Sequence, residues 1–134
     1  MKKFLSLIFL TLVISACSVG DDSLPTIRYS LLAIESVEIA DIYPVNETSE
    51  IMITYKRPTD CYIFDGFYIQ SEAFTNIIAV KSVQMIEDDC IEDVSTFTVP
   101  LEFKPTVEGE YLLKFYAGNP GNVPQYLEYS VIVE

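Results

Sequence analysis

The side chains able to carry out chemistry in this 134-residue chain are few, and their types exclude most catalytic sites. The chain has no histidine, so no serine or cysteine nucleophile has an imidazole base and no imidazole can bind a metal. Only five glycines are present, and they form no glycine-rich phosphate-binding loop. Paired carboxyl groups suffice for glycoside hydrolysis, but 20 acidic residues make chance pairs unavoidable. We therefore predict a protein that is not an enzyme and that needs no cofactor.

The N-terminal residues have the pattern of a secretory signal peptide. Lys2 and Lys3 precede an apolar run, residues 4–14, and the small residues Ser15 and Ala16 follow it. A basic start, a short apolar segment and small residues before a cleavage point are typical of such signals, and the segment is too short to span a bilayer. We expect this segment to be removed on export.

The stretch Ile14-Ser15-Ala16-Cys17 resembles the lipobox of bacterial lipoproteins. That resemblance implies cleavage after residue 16, a thioether-linked diacylglyceryl group on Cys17 and acylation of the new amino terminus. Two or more acyl chains anchor a protein stably, whereas one holds it only marginally. The expected result is a chain anchored to the membrane through lipid on Cys17.

The expected mature chain, residues 17–134, is long enough for one domain with a core. Residues 17–34 are predicted as the lipidated N-terminus and tether, of which residues 18–26 are the polar part, and residues 35–134 as the folded domain. Six basic residues then face 20 acidic ones. So acidic a surface, without a basic patch, makes nucleic acid an unsuitable partner.

The tether residues indicate the outer membrane. Ser18 is not the aspartate that retains lipoproteins at the inner membrane, and Asp21-Asp22 resembles the acidic export signals of surface lipoproteins of Bacteroidota. Asp22-Ser23-Leu24 resembles the O-glycosylation site of that phylum, which makes Ser23 a candidate glycan acceptor. An alternative is that these polar residues only keep a linker solvated. Whether the protein faces the periplasm or the cell surface stays open.

Cys61 and Cys90 are the remaining cysteines, and we predict a disulfide between them. Exported proteins occupy compartments where disulfides persist. A redox pair would need Cys-x-x-Cys spacing, and a zinc site would need more thiolates or histidine.

The body of the chain alternates apolar and polar residues with a period of two. This pattern predicts about seven antiparallel strands with turns between them and no long amphipathic helix. Within residues 61–70, Asp65-Gly66 could be a hairpin turn, but one long strand is preferred. In another strand, Pro100 indicates a sheet edge or a bulge. The predicted strands cover residues 37–43, 51–55, 61–70, 76–85, 95–103, 110–116 and 125–134.

Glu108-Gly109-Glu110-Tyr111-Leu112-Leu113 resembles the turn into strand F of immunoglobulin-like domains. The resemblance implies an immunoglobulin-like β-sandwich in which the Tyr111 ring is buried and its hydroxyl is bonded to backbone. Val107 replaces the family's aspartate, Leu113 replaces its inter-sheet cysteine, and the chain has no tryptophan. The resemblance is therefore to such sandwiches in general and not to antibody domains.

The whole chain resembles small lipoproteins of Bacteroidota. The residues that carry this likeness are the lipobox, Cys61-x-x-Phe64-x-x-Phe67-Tyr68, Cys90, and the closing strand with Gly109, Tyr111 and Phe115. It implies a location and a fold, and it brings no activity with it.

Two further groups are candidate sites. The first is an acidic cluster that offers oxygen ligands for calcium but lacks the EF-hand spacing, so a solvated loop is the competing interpretation. Its residues are Glu87, Asp88, Asp89, Glu92 and Asp93. The second is a pair of separate candidate binding surfaces. One is an aromatic strand, a single face of which could present Tyr62, Phe64 and Tyr68 to a sugar or a protein, with a central strand covered on both faces as the alternative. The other is the loop 118–124 with Asn119 and Asn122, by analogy with immunoglobulin-like domains that bind through end loops.

These features together predict a lipid-anchored, non-enzymatic binding or structural module of the cell envelope. Its partner is a protein or glycan that the sequence does not identify. The alternatives are an accessory subunit of a periplasmic or outer-membrane complex, and a calcium-dependent or glycan-binding adhesin.

Overall fold

The structure is a computed structural model, and it describes residues 24–86 and 89–134. The described chain is built almost entirely of β-strands, which confirms the predicted all-β class. One 3₁₀ turn, Pro120–Asn122, interrupts the last connection. The nine strands are β1 (Ile27–Leu32), β2 (Ile34–Glu38), β3 (Ile42–Tyr43), β4 (Ser49–Lys56), β5 (Tyr62–Glu72), β6 (Thr75–Met85), β7 (Thr96–Phe103), β8 (Gly109–Tyr116) and β9 (Tyr126–Val133).

The strands form two sheets. The small sheet has the order β2-β4-β7, and all its pairs are antiparallel. The large sheet runs β3-β9-β8-β6, with β5 on the other edge of β6 and β1 beside the second half of β6. Two of its pairs, β3 with β9 and β6 with β8, are parallel. The large sheet is therefore mixed, which differs from the purely antiparallel arrangement that was expected.

One apolar core joins the two sheets. The predicted alternation is observed in β4, where Ile51, Ile53 and Tyr55 are buried, and in β8, where Leu113 and Phe115 are fully buried. Such alternation arises because successive strand side chains point to opposite faces of a sheet. Both sheets thus direct one face of each strand into a shared interior.

Tyr111 and Pro100 occupy the positions expected for them. The Tyr111 ring is buried between Phe74 and Phe103, and its hydroxyl donates to the Val107 carbonyl oxygen at 3.0 Å. Pro100 lies in β7, an edge strand of the small sheet, which is where a residue without a backbone N–H is tolerated in a sheet.

The first strands differ from the prediction. The sheet begins within the segment predicted as tether, residues 17–34: β1 pairs with β6, and Ile34 is in the core. The single strand predicted over residues 37–43 is two strands in different sheets, because the chain crosses from the small to the large sheet between Glu38 and Ile42. These two differences account for the increase from seven strands to nine.

The Cys61–Cys90 disulfide is confirmed. It joins the residue before β5 to the segment that follows β6, and so closes the open end of the β5–β6 hairpin. The Cys61 carbonyl also accepts a hydrogen bond from the Met85 backbone N–H at 3.0 Å. The disulfide therefore restrains β5, an edge strand whose other side has no strand partner in the described chain.

Candidate binding site on the outer face of the large sheet

Strand β5 is one continuous strand, as preferred, but it contains a bulge. Phe64 pairs with Ser82 and Phe67 pairs with Val80, so three steps along β5 match two steps along β6. The extra residue lies at Asp65-Gly66, where Gly66 has a φ of +89°. A bulge of this kind shifts the alternation of side chains by one position.

The bulge divides the aromatic residues of β5 between two faces. Phe64 lies opposite Ser82, which is fully buried, so Tyr62 and Phe64 are on the core side of the sheet. Tyr68 lies opposite Ala79, on the outer side. The prediction of one shared face for the three aromatic residues is therefore wrong, and so is that of a central strand covered on both sides.

Phe64 completes the edge of the core. Its ring stacks on Tyr55 with centroids 5.9 Å apart and contacts Phe67 edge to face at 5.5 Å. Tyr62 is also packed against the core cluster. These contacts place Tyr62 and Phe64 at the rim of the space between the sheets, where Phe64 is still 37% exposed, and leave Tyr68 as the candidate that faces outward.

The outer face of the large sheet is apolar over β1 and the first part of β5. Ile27, Tyr29 and Leu31 alternate with residues that face the core, and Ile63 lies opposite Val83 on the same outer face. The four outward residues of β1 and β5 are between 45% and 69% exposed. Contiguous exposed apolar surface of this kind marks interaction sites in soluble domains. Sequence reasoning misses this patch, because the residues of β1 fall within the predicted tether.

A cavity of about 350 Å³ lies at the far end of this face, and we name it the tyrosine pocket. It is formed where β8 and β1 follow one another along the same edge of β6. Of the predicted binding residues, the pocket brings together Tyr68 and Asn119, which are 51 positions apart in the chain. The residues that line it are Leu31, Tyr68, Gln70, Ile77, Ala79, Tyr116, Asn119, Pro124 and Tyr126.

The polar groups of the tyrosine pocket are neutral. The Tyr68 hydroxyl donates to the Gln70 side-chain carbonyl oxygen at 3.0 Å, which fixes that carboxamide beside the ring. Tyr116 and Tyr126 are cross-strand partners whose ring centroids lie 6.2 Å apart at an interplanar angle of 68°. The lining of the pocket thus combines three tyrosine phenols and two carboxamides, from Gln70 and Asn119, with apolar side chains such as Ala79.

The loop 118–124 holds Asn119 at this pocket through its own backbone bonds. The Gln125 N–H donates to the Gly118 carbonyl, and the Asn122 N–H donates to the Asn119 carbonyl. Gly118 and Asn122 both have positive φ, which closes the loop tightly. Asn122 is exposed outside the pocket, so only one of the two predicted asparagines belongs to it.

A second cavity, of about 390 Å³, lies beside Lys56 and Arg57, but three of the four charged side chains that line it are in ion pairs. Arg57 Nε donates to Asp93 Oδ2 at 2.6 Å, and its guanidinium lies over the Phe97 ring. The backbone N–H of Ser95 and then the Arg57 side chain hold the pKa of Asp93 below its ordinary value. These contacts hold the segment after the disulfide against the end of β4.

The acidic cluster does not form a ligand set in the described part of the chain. Asp93 is bonded to Arg57, while Asp89 and Glu92 are exposed and do not meet it in a group of three. Glu87 and Asp88 lie outside the described residues, so a calcium site that includes them stays a prediction. The three close ligand atoms that are found belong to Asp60 and the two bonded cysteines, and bonded sulfurs are not thiolate ligands.

Cys17 and Ser23, the predicted lipidation and glycosylation sites, also lie outside the described residues. Among residues 24–86 and 89–134 there is no helix of the length and hydropathy that crossing a bilayer requires. Comparison of the chain with protein-family models, with curated proteins and with solved structures gives no match.

Proposed function

We propose that the chain is a lipid-anchored, non-enzymatic binding module of the bacterial cell envelope, which binds its partner through the outer face of the large sheet. The observation that carries this proposal is the exposed apolar face of β1 and β5 beside the tyrosine pocket. Apolar surface that is exposed to water is unfavourable, and a partner that covers this surface would remove the cost of its exposure. The lack of histidine and the oxidised state of Cys61 and Cys90 support a role without catalysis.

The anchor belongs to the same proposal and rests on the lipobox. If lipid is attached at Cys17, the tether before β1 is residues 18–26, which reach about 30 Å when extended. The tether enters at the Ile27 end of β1, and the tyrosine pocket contains Leu31 at the other end of that strand. The pocket would therefore face away from the membrane, on an outer-membrane lipoprotein of Bacteroidota type.

The finer fold proposal is an immunoglobulin-like β-sandwich with a modified large sheet. The bonded hydroxyl of Tyr111 supports it, as do the two sheets packed over one core. The parallel pairing of β6 with β8 departs from the antiparallel sheets of that class. We attribute the departure to the additional β5–β6 hairpin at the edge of the sheet.

Metabolic labelling with a radioactive fatty acid tests the anchor. Cys17→Ser should abolish incorporation, because the thiol that forms the thioether is lost, whereas Ser18→Ala should retain it. Incorporation that persists in Cys17→Ser would contradict the anchor. Protease treatment of intact and lysed cells then tells which side of the membrane the domain faces, provided that the lysed sample is digested.

Site-specific photocrosslinking in intact cells tests the binding face. A photoreactive residue at Tyr29, on the outer face of β1, should crosslink to an envelope component, whereas one at Thr98, exposed on the small sheet, should not. Equal crosslinking from both positions, or none from Tyr29, would overturn the proposal. Capture of the same larger envelope protein from both positions would instead favour the accessory-subunit alternative.

A further inference from the structure

We propose that the tyrosine pocket is a carbohydrate-binding site and that its ligand is an uncharged sugar. This inference rests on the proposed function, since it names the chemical class of ligand for part of the proposed binding face. The types of side chain in the pocket, their charge and the size of the cavity support it.

The side chains of the pocket match the surface of a sugar ring. A pyranose has apolar C–H faces and a rim of hydroxyls, each of which both donates and accepts hydrogen bonds. Tyr68, whose side chain is 43% exposed, and Tyr116 offer aromatic surface with a polar tip. The carboxamides of Gln70 and Asn119 supply both donors and acceptors at the rim. A peptide side chain that filled the cavity would leave most of these polar groups without partners, at a free-energy cost for each.

The Tyr68–Gln70 hydrogen bond prepares this surface for a ligand. Because the Tyr68 hydroxyl donates to the Gln70 carbonyl oxygen, the two donors on the carboxamide nitrogen stay available to a ligand. The bond also restricts two exposed side chains before binding, which lowers the entropy cost of ordering them. A preformed, mostly apolar cavity with few polar groups is the usual form of a small-molecule site.

The charges around the pocket favour a neutral ligand. No charged side chain lines the cavity, and Lys114, above the Tyr126 ring at 4.8 Å, is paired with Glu128 at 3.1 Å. The whole chain carries a formal charge of −12, so its field repels anions. Phosphorylated or acidic sugars would therefore bind worse than neutral ones.

The volume limits how much of a glycan the pocket encloses. Small-molecule sites range from about 300 to 1,000 Å³, so a cavity of about 350 Å³ is at the lower end and holds one or two sugar rings. A longer glycan would continue over the apolar patch at Tyr29. We therefore expect a terminal or short saccharide to be the minimal ligand.

The test is titration of the full lipidated chain, in a detergent without a sugar head group, with methyl β-glucoside, methyl β-galactoside, methyl β-N-acetylglucosaminide and their β-linked disaccharides. The readout is NMR of isotopically labelled tyrosine rings. At millimolar sugar, we expect the resonances of Tyr68, Tyr116 and Tyr126 to shift with saturation for at least one probe, and those of the buried Tyr43 and Tyr55 to stay unchanged. Because this is a measurement on the unaltered protein, it does not depend on any variant folding.

Three variants locate the site. Tyr68→Ala and Asn119→Ala should each weaken binding at least tenfold, because one removes the aromatic surface and the other a rim carboxamide. Thr98→Ala, a change at an exposed position of the small sheet outside the proposed binding face, should leave the affinity within twofold. Equal losses in Thr98→Ala and Tyr68→Ala would overturn the assignment to the pocket. Tighter binding of methyl glucuronate than of methyl glucoside would overturn the preference for a neutral ligand.

The remaining outcomes separate this inference from the proposed function. If no sugar shifts the tyrosine resonances while Tyr29 still crosslinks in cells, the carbohydrate inference is wrong and the binding face stands. If a crosslinker at Tyr68 also captures a protein and no sugar binds, the pocket docks a protein side chain, and the inference is again overturned. Sugar binding without any crosslink from Tyr29 would confirm the pocket and refute the larger binding face.

Discussion

Removal of the Cys61–Cys90 bond should cost the domain a large part of its stability. The bond closes a loop of 29 positions, and loop-closure entropy assigns it about 3.6 kcal/mol at 25 °C. Cys61 is 5% exposed, so replacement by alanine also removes buried sulfur contacts, and the total loss should be about 4 kcal/mol. Domains of this size are stable by about 5–15 kcal/mol, so the variant should fold with a reduced margin.

The assay is urea unfolding of the full chain with Cys61→Ala and Cys90→Ala, in a Cys17→Ser background that leaves no other thiol. With a slope of about 2 kcal/mol per molar urea, a loss of about 4 kcal/mol moves the midpoint down by about 2 M. The reference is the Cys17→Ser chain, measured oxidised and reduced. Reduction should lower its midpoint nearly as far as the double substitution does, and it should have no effect on the double variant.

A loss below about 1 kcal/mol would refute the entropy reasoning. It would mean that the denatured chain already keeps the β5–β6 hairpin together, so that the bond restricts little further. Hydrogen exchange distinguishes a local from a global effect, because within residues 24–86 and 89–134 β5 has a strand partner on one side only. In the double variant, the amides of Tyr62 to Phe64 should exchange before those of the shared core in β8.

Three further changes have defined outcomes. Tyr111→Phe loses the hydrogen bond to the Val107 carbonyl, and the free energy of unfolding should fall by about 1 kcal/mol in urea titration. Gly66→Ala should also cost about 1 kcal/mol in that assay, because the φ of +89° is strained for any side chain even though open space surrounds the position. Asp93→Asn should destabilise the domain at pH 7, since the Ser95 N–H and then Arg57 hold the folded pKa of Asp93 below its ordinary value of 3.8. That contribution is present above the unfolded pKa and is lost as the pH falls through the folded one, so the difference between Asp93→Asn and the parent should shrink at pH 3.

The period-two pattern correctly predicted strands that bury one face in the core. It failed for the segment that passes from one sheet to the other and for the strand that presents apolar residues outward. Ile51, Ile53 and Tyr55 reveal β4 because a single strand carries the whole pattern. Residues 37–43 keep the same alternation while leaving one sheet and entering the other, and alternation alone does not show that crossing. Strand β1 was missed because it is the first segment after a polar stretch, and its large side chains point outward.

In the candidate site, too, alternation alone does not show which face a side chain occupies, and a single position causes the error. The residue types at Asp65-Gly66 fit either a hairpin turn or a continuous strand, whereas the structure has a bulge there. A bulge keeps the strand and reverses the alternation, so Tyr62 and Phe64 pack toward the core while Tyr68 faces out. One residue therefore decides which aromatic side chains are available to a ligand. Asn119 was predicted from its loop, yet its meeting with Tyr68 depends on strand order, which local sequence does not encode.

The charge distribution explains how a domain with an apolar outer face can stay separate from its own copies. A formal charge of −12 makes the approach of two identical surfaces unfavourable, and the bulge with exposed Asp65 interrupts the free edge of β5 against pairing with another strand. The same charge selects among partners, because it repels acidic surfaces and does not oppose neutral ones. An uncharged glycan therefore meets no electrostatic barrier at the tyrosine pocket, whereas a second copy of the chain does.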